Sequence, residues 1–241
     1  MNKFGWIALA LIVSLGSCRN FMGKRIHGNG NIKTEDRNVS SFKNVDVSGA
    51  AKVMISQGDK PSVKVEGDEN LLQYIEVEQE GDKIRIKERP GSNLQPSNEI
   101  RVYVTAPVFN EIDASGASDI IGQTKISNSE EMRMHMSGAG DIKMEIDAPR
   151  LTFRMSGAGS IYIKGQTKEV DLEMSGAGSA HFYDLLSENT RVNLSGVGSA
   201  EVYASVKLDA TVNGVGSIDY KGNAPDVNQH VNGVGSIHKV D

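Results

Sequence analysis

From about position 130 to the C-terminus, apolar and polar residues alternate in short runs broken by glycine pairs. Met132, Met134 and Met136 flank Arg133 and His135, and Leu151, Phe153 and Met155 flank Thr152 and Arg154. Val170, Leu172 and Met174 flank Asp171 and Glu173, and Leu208, Ala210 and Val212 flank Asp209 and Thr211. A period of two predicts strands with one buried face. Beyond each glycine pair the alternation resumes, at Ile142 and Met144, Ile161 and Ile163, Ala180 and Phe182, and Ile218 and Tyr220. Each unit is therefore strand, glycine corner, strand and a looser turn such as KGQTKE, YDLLSEN or KGNAPD. No helical pattern of any length occurs.

The corners form a repeat. SGASDI begins at Ser115, SGAGDI at Ser137, SGAGSI at Ser156, SGAGSA at Ser175 and SGVGSA at Ser195, and NGVGSI begins at Asn213 and again at Asn232. Their intervals are 22, 19, 19, 20, 18 and 19 residues. A strict short repeat would not wobble, whereas a coil that takes up insertions in one loop would. Units of this kind cannot bury their apolar face alone and must stack. The expected fold is all-β: a single-domain parallel β-helix of roughly 19 residues per coil, with neighbouring coils about 4.8 Å apart. One interior ladder then runs Met136, Met155, Met174, Leu194, Val212, Val231. Outside, Asp171, Arg191 and Asp209 alternate in sign, and Arg154 faces Glu173. Burial of each Leu, Ile, Met or Phe, at roughly 1.5–3 kcal/mol, outweighs exposed pairs worth about 0.2–1 kcal/mol each.

The glycines read as structural corners: Gly138 and Gly140, Gly157 and Gly159, Gly176 and Gly178, Gly196 and Gly198, Gly214 and Gly216, and Gly233 and Gly235. They allow bends where stacked side chains would collide or φ must be positive. The adjoining Ser or Asn supplies a hydroxyl or amide to nearby backbone groups. Toward the N-terminus the pattern is less regular. VSGAAKVMI from Val47 looks like an early coil, and Glu80-Gly81-Asp82-Lys83 separates two alternating runs as a hairpin would. The strands between are expected to cover the first coils. After the last corner only HKVD remains, with no capping helix and no polar rung. An open terminal coil predicts a homo-oligomer paired through that end.

The first residues stand apart. MNK is a short basic start, Trp6 to Leu15 is an apolar run too short to span a bilayer, and LGSC ends at Cys18, the chain's single cysteine. The pattern resembles a bacterial lipobox, which implies cleavage before Cys18 and its lipidation. Residues 1–17 are then a signal peptide, 18–30 a lipidated tether and 31–241 the β-helix, irregular over 31–110 and regular over 111–241. The anchor implies the cell envelope, with the outer membrane as its seat. The stretch RNFMGKRIHGNGN lacks the acidic run that surface-exported lipoproteins of some bacteria carry, which favours a periplasm-facing position over the cell surface. No cysteine is left for disulfides. Loss of Lys3 with the leader takes the net charge from −5 to −6, and an acidic chain of this kind excludes nucleic acid as partner.

The combination of lipobox, VSGAAKVMISQGD, LLQYIEVEQEGDKIRIKE and SGAG/NGVGSI corners resembles the auto-transporter adhesin head GIN domain family over roughly residues 38–235. The resemblance implies a right-handed β-helix and an adhesin label, and supplies no catalytic residues.

Candidate chemistry is thin. GAGSIY and GVGSID lack the third glycine of a dinucleotide loop and enter a strand, and no Gly-Lys-Ser/Thr is present. Asp119 and Asp141 follow their corners as in a calcium roll, but Ser160, Ser179, Ser199, Ser217 and Ser236 hold that place in later coils. A calcium ion wants six to eight oxygens, so no metal and no cofactor are expected. An outward stripe just after the corner, Lys143, Tyr162, His181, Glu201, Asp219 and His238, is the candidate ligand-facing surface. His181 and Glu201 would be rung neighbours, close enough for an acid–base pair. The plainer reading is a solvated face of mixed charge, because the short loops build no walls around it. The expected function is a non-enzymatic envelope module that binds a glycan or protein ligand. A self-associating structural component and a carbohydrate-active enzyme are the alternatives.

Overall fold

The computed structural model describes residues 24–241; Cys18 and the leader lie outside the described residues. The chain opens with β1 (Lys24–His27), β2 (Ile32–Arg37), β3 (Asn44–Gly49), β4 (Lys52–Gln57) and β5 (Ser62–Asp68). A single 3-10 turn at Leu72–Tyr74 precedes β6 (Ile75–Glu80), β7 (Lys83–Glu88), β8 (Ser92–Gln95) and β9 (Arg101–Ala106). The regular coils run through β10 (Glu111–Gly116), β11 (Asp119–Ser127), β12 (Glu131–Met136), β13 (Ile142–Met155), β14 (Ala158–Met174), β15 (Ala177–His181) and β16 (Leu185–Leu194). They finish in β17 (Val197–Tyr203), β18 (Lys207–Val212), β19 (Val215–Lys221), β20 (Asp226–Val231) and β21 (Val234–Lys239).

Two parallel ladders stack on either side of one core, making the expected β-helix. Strands entering the glycine corners form one ladder: β7, β3, β10, β12, the second halves of β13 and β14, β16, β18 and β20. Strands leaving the corners form the other: β9, β4, β11, the first halves of β13 and β14, β15, β17, β19 and β21. Met136, Met155, Met174, Leu194, Val212 and Val231 fall in successive register, and all but the last are buried. Outside, Asp171 registers with Arg191 and Arg191 with Asp209, and Arg154 Nε lies 3.0 Å from Glu173 Oε2. Phe153 and Phe182 meet edge-on across the core, with centroids 6.1 Å apart, a favoured aromatic geometry.

The corners are as tight as backbone allows. A Cβ on Gly157 would lie 1.8 Å from the Gly138 carbonyl oxygen, and one on Gly178 only 2.4 Å from the Met155 methyl. The interior methionine column thus packs beneath the second glycine of the next coil. Hydroxyls of Ser115, Ser175 and Ser195 donate to carbonyls of the preceding coil. Asp119 and Asp141 do similar work, each accepting a backbone N–H from the following coil, Asp141 N at 3.0 Å and Ser160 N at 2.9 Å. Asn213 and Asn232 join an amide ladder that begins at Asn193, with bonds of 3.1 and 2.9 Å.

The segment from Val47 is the early coil expected, with Gly49 registered to Gly116 and Lys52 to Asp119. Several other expectations are corrected. The excursion after that coil does more than cover: β7 and β9 add a further parallel rung, then β6, β5 and β2 turn the ladders antiparallel and close that end. Lys24–His27, inside the stretch expected as tether, pairs in parallel with β8. KGQTKE, expected as a turn, lies within the continuous β14, with Gly165 at φ 123° taking the bend. No helix caps the C-terminal coil among the described residues, but polar groups do stand at its interior positions. Gln229 registers with Ala210 and bonds Tyr220 Oη at 3.3 Å, and Lys239 registers with Tyr220 and reaches Asn223 Oδ1 at 3.3 Å.

Candidate functional site

The outward stripe is in register throughout. Lys143 neighbours Tyr162, Tyr162 neighbours His181, His181 neighbours Glu201, Glu201 neighbours Asp219 and Asp219 neighbours His238. Alternation along each strand points these residues away from the core while Ile142, Ile161, Ala180, Ala200 and Ile218 point into it. Stacking brings rung neighbours into contact. Tyr162 and His181 lie ring on ring, centroids 4.5 Å apart and planes 10° from parallel. His181 Nδ1 meets Glu201 Oε2 at 2.6 Å. A carboxylate so close holds the ring proton on Nδ1 and leaves Nε2 as the ring's other polar atom. One face of Tyr162 is therefore spent on His181, so the ring offers less for stacking than the sequence suggested, although the residue stays 43% exposed.

The stripe is not a flat wall. Its first four residues line a half-open notch of about 680 Å³. Asp219 and His238 continue the row beyond the notch and are not part of its lining. The ends of the notch come from two irregularities. In β11 the register to β13 shifts between Ile121 and Lys125, so Gly122, Gln123 and Thr124 bulge outward. Bulges of this kind re-aim side chains next to functional sites. This one is fixed from below: Gln57 N–H donates to Thr124 Oγ1 at 2.8 Å and Ser56 Oγ to Gln123 Oε1 at 3.1 Å. At the other end the turn Tyr183–Asp184 carries one residue more than the coil beneath it, since Tyr162 pairs with His181 but Gly165 with Leu185.

Between these ends Lys164 pairs with Glu145 at 3.0 Å, and Lys125 with Asp147 at 3.1 Å. Lys221 sits 4.9 Å from the Tyr183 ring centroid. Burial, with Glu201 and Asp219 nearby, pushes the Tyr183 phenol up to about 12, so at neutral pH it is an uncharged hydroxyl. Gln123, Thr124, Lys125, Glu145, Lys164, Tyr183 and Asp184 were not singled out from the sequence. The signal was present in the repeat itself. The 22-residue interval from Ser115 holds the bulge, and the 20-residue interval from Ser175 holds the extra turn residue. Both insertions fall just past the stripe position, at the same place in two different coils.

A second hollow of about 550 Å³ on the loop edge, lined in part by Pro149, Thr167, Leu186 and Ser205, is more open to solvent. The Ser187 hydroxyl there is already bound to the Tyr203 carbonyl. Among the described residues no group of three or more His, Cys, Asp or Glu is arranged to hold a metal.

Solved structures share this architecture. A putative adhesin from Bacteroides fragilis superposes with a TM-score of 0.86 at 22% identity, covering 89% of this chain and 100% of its own. A putative lipid binding protein and a putative adhesin, both from Parabacteroides distasonis, give TM-scores of 0.71 and 0.69 at 24% and 23% identity. Each covers 90% of this chain and 100% of its own. No curated protein matches. Residues 41–224 match the family described as "Putative auto-transporter adhesin, head GIN domain", and the chain belongs to that family.

Proposed function

We propose that this chain is a non-enzymatic, adhesin-like binding module of the bacterial cell envelope, and that it holds its ligand in the notch at Lys143, Tyr162, His181 and Glu201. The observation that carries this reading is the notch itself, a concavity with fixed ends and convergent polar groups on an otherwise regular solenoid. Its family and two of the three structural relatives above bear adhesin names, which supports a role by contact. A lipid on Cys18 would hold the module at the outer membrane, facing the periplasm. Cys18→Ala should then abolish fatty-acid labelling and release the protein to the soluble fraction, and protease added to intact cells should leave the wild type uncut.

Binding is tested by probing arrays of envelope glycans and peptides with the wild type and with Tyr162→Ala and His181→Ala. Retained ligands should be lost in both variants while the far-ultraviolet dichroism stays that of β structure. Ligands that survive both substitutions place the binding surface elsewhere. The 2.6 Å contact between His181 and Glu201 favours one rival, a carbohydrate-active enzyme using that pair. Glycan turnover by the wild type that Glu201→Gln abolishes would overturn the non-enzymatic reading.

A further inference from the structure

The lining of the notch, taken with its two fixed ends, points to a class of ligand; this deepens the binding reading above and rests on it. The notch crosses the coils of β11, β13, β14 and β15, which are three steps of about 4.8 Å, and Glu201 of β17 adds to its lining. Gly122–Thr124 stops it at one end and Tyr183–Asp184 at the other. Stops at that separation admit a segment about two or three sugar rings long. They obstruct a long polymer laid along the solenoid axis. Both stops are braced by hydrogen bonds or a cation–π contact, so little ordering remains to be done on binding.

Inside, the charges largely cancel. Lys164 is paired with Glu145 and Lys125 with Asp147, and the Glu201 carboxylate is hydrogen-bonded to His181 Nδ1. A row of hydrogen-bonding groups remains for a ligand: Gln123, Tyr162, His181 and Tyr183. One ammonium also remains, because Lys143 has no ion pair or hydrogen bond among the described residues. Asp184, exposed on the opposite rim, disfavours an anion at that end and leaves the Lys143 end as the place for one. An acyl chain would want an apolar lining throughout, and nucleic acid would want many cations. Hydroxyl-rich molecules suit a row of phenols, an amide and an imidazole, and a single anionic group suits one lysine.

We propose that the notch binds the short terminus of an acidic glycan, with the sugar carboxylate on Lys143 and sugar hydroxyls on Tyr162, His181 and Tyr183. Two matched pairs of probes test it by titration calorimetry on the full chain: cellobiouronic acid against cellobiose, and 3′-sialyllactose against lactose. At least one acid should bind, and bind tenfold or more tightly than its neutral partner. Lys143→Met, which keeps the stem and removes the charge, should bring acid and neutral sugar to the same affinity. Tyr162→Ala should weaken both by tenfold or more. Failure of both acids to bind at millimolar concentration overturns the proposal. So does a neutral sugar that matches its acid, or an acid preference that survives Lys143→Met. If neutral sugars or array ligands still depend on Tyr162, the binding notch stands and only its acidic specificity falls. If array ligands are indifferent to Tyr162 and His181, the notch reading falls as well.

Discussion

A Cβ on Gly176 would lie 1.8 Å from the Gly157 carbonyl oxygen, whereas the side chain of the next residue, Ala177, points to solvent. Two adjacent corner residues therefore have opposite tolerance. Gly176→Val should cost at least about 3 kcal/mol by denaturant unfolding, because backbone must move to make room. Ala177→Val should fall within about 0.5 kcal/mol of wild type, since Val197 and Val215 already fill the same position in later coils. Asp68 is a different case, a fully buried carboxylate that fastens the N-terminal segment. It accepts bonds from Ser97 Oγ at 2.6 Å, Ser97 N at 2.8 Å and Gly30 N at 2.7 Å. The Ser97 hydroxyl, followed by these backbone donors, outweighs burial and holds its pKa below the ordinary 3.8. A depressed carboxylate pKa contributes stability that is full above the unfolded value and is lost as pH falls through the folded one. Asp68→Ala should cost roughly 1.5–3 kcal/mol at neutral pH. In thermal melts its gap to wild type should stay constant from pH 7 to 5 and narrow below about 3.8. The corner glycines were legible because their reason repeats every coil. Asp68 was not, because its partners stand 29 and 38 residues away across irregular loops.

Along one strand, burial and charge can be weighed against each other. In β14, Leu172 is buried between Phe153 and Val192, and its neighbour Glu173 faces out to Arg154. Leu172→Ala should cost about 2–5 kcal/mol through the cavity it leaves. Glu173→Ala should cost no more than about 1 kcal/mol, since both members of that pair are roughly half exposed. Equal costs from denaturant titration would mean that the charged ladders, not the core, set the stability of the coils. The register of these strands was readable because a period of two leaves only one set of residues able to face inward. Every neighbour in the stripe from Lys143 to His238 followed from that register. The walls of the notch did not. They arise where a coil departs from 19 residues, and a count of residues locates the surplus without saying whether it projects from a strand or lengthens a loop. Three surplus residues before Ser137 turned out to divide between the bulge at Gly122–Thr124 and the turn near Asn128.

The two ends of the molecule are finished differently. At the N-terminal end the parallel ladders give way to antiparallel β6, β5 and β2, which carry charged residues on their exposed sides. At the C-terminal end β20 and β21 keep the parallel arrangement and then stop. Exposed valines gather there, Val215, Val231, Val234 and Val240 among them, and free strand edges with apolar side chains favour pairing with another chain. Gln229 and Lys239 oppose it. Each takes a position that the inner coils fill with apolar or aromatic side chains, Gly122 at the bulge excepted, and each is held by a neighbour, Tyr220 or Asn223. A second copy stacked on this coil would bury an ammonium and an amide against its own core, and burying an unpaired charge costs several kcal/mol. Polar groups turned inward on an edge strand are a recognised way of keeping a sheet from growing. Residues 24–241 should therefore sediment as a monomer at high micromolar concentration. The double variant Gln229→Leu, Lys239→Leu restores the apolar ladder to the last coil and should sediment as a dimer or larger species under the same conditions. A wild type that already dimerises would show that the valine edge outweighs the two polar residues, and the structural, self-associating role would then gain the advantage.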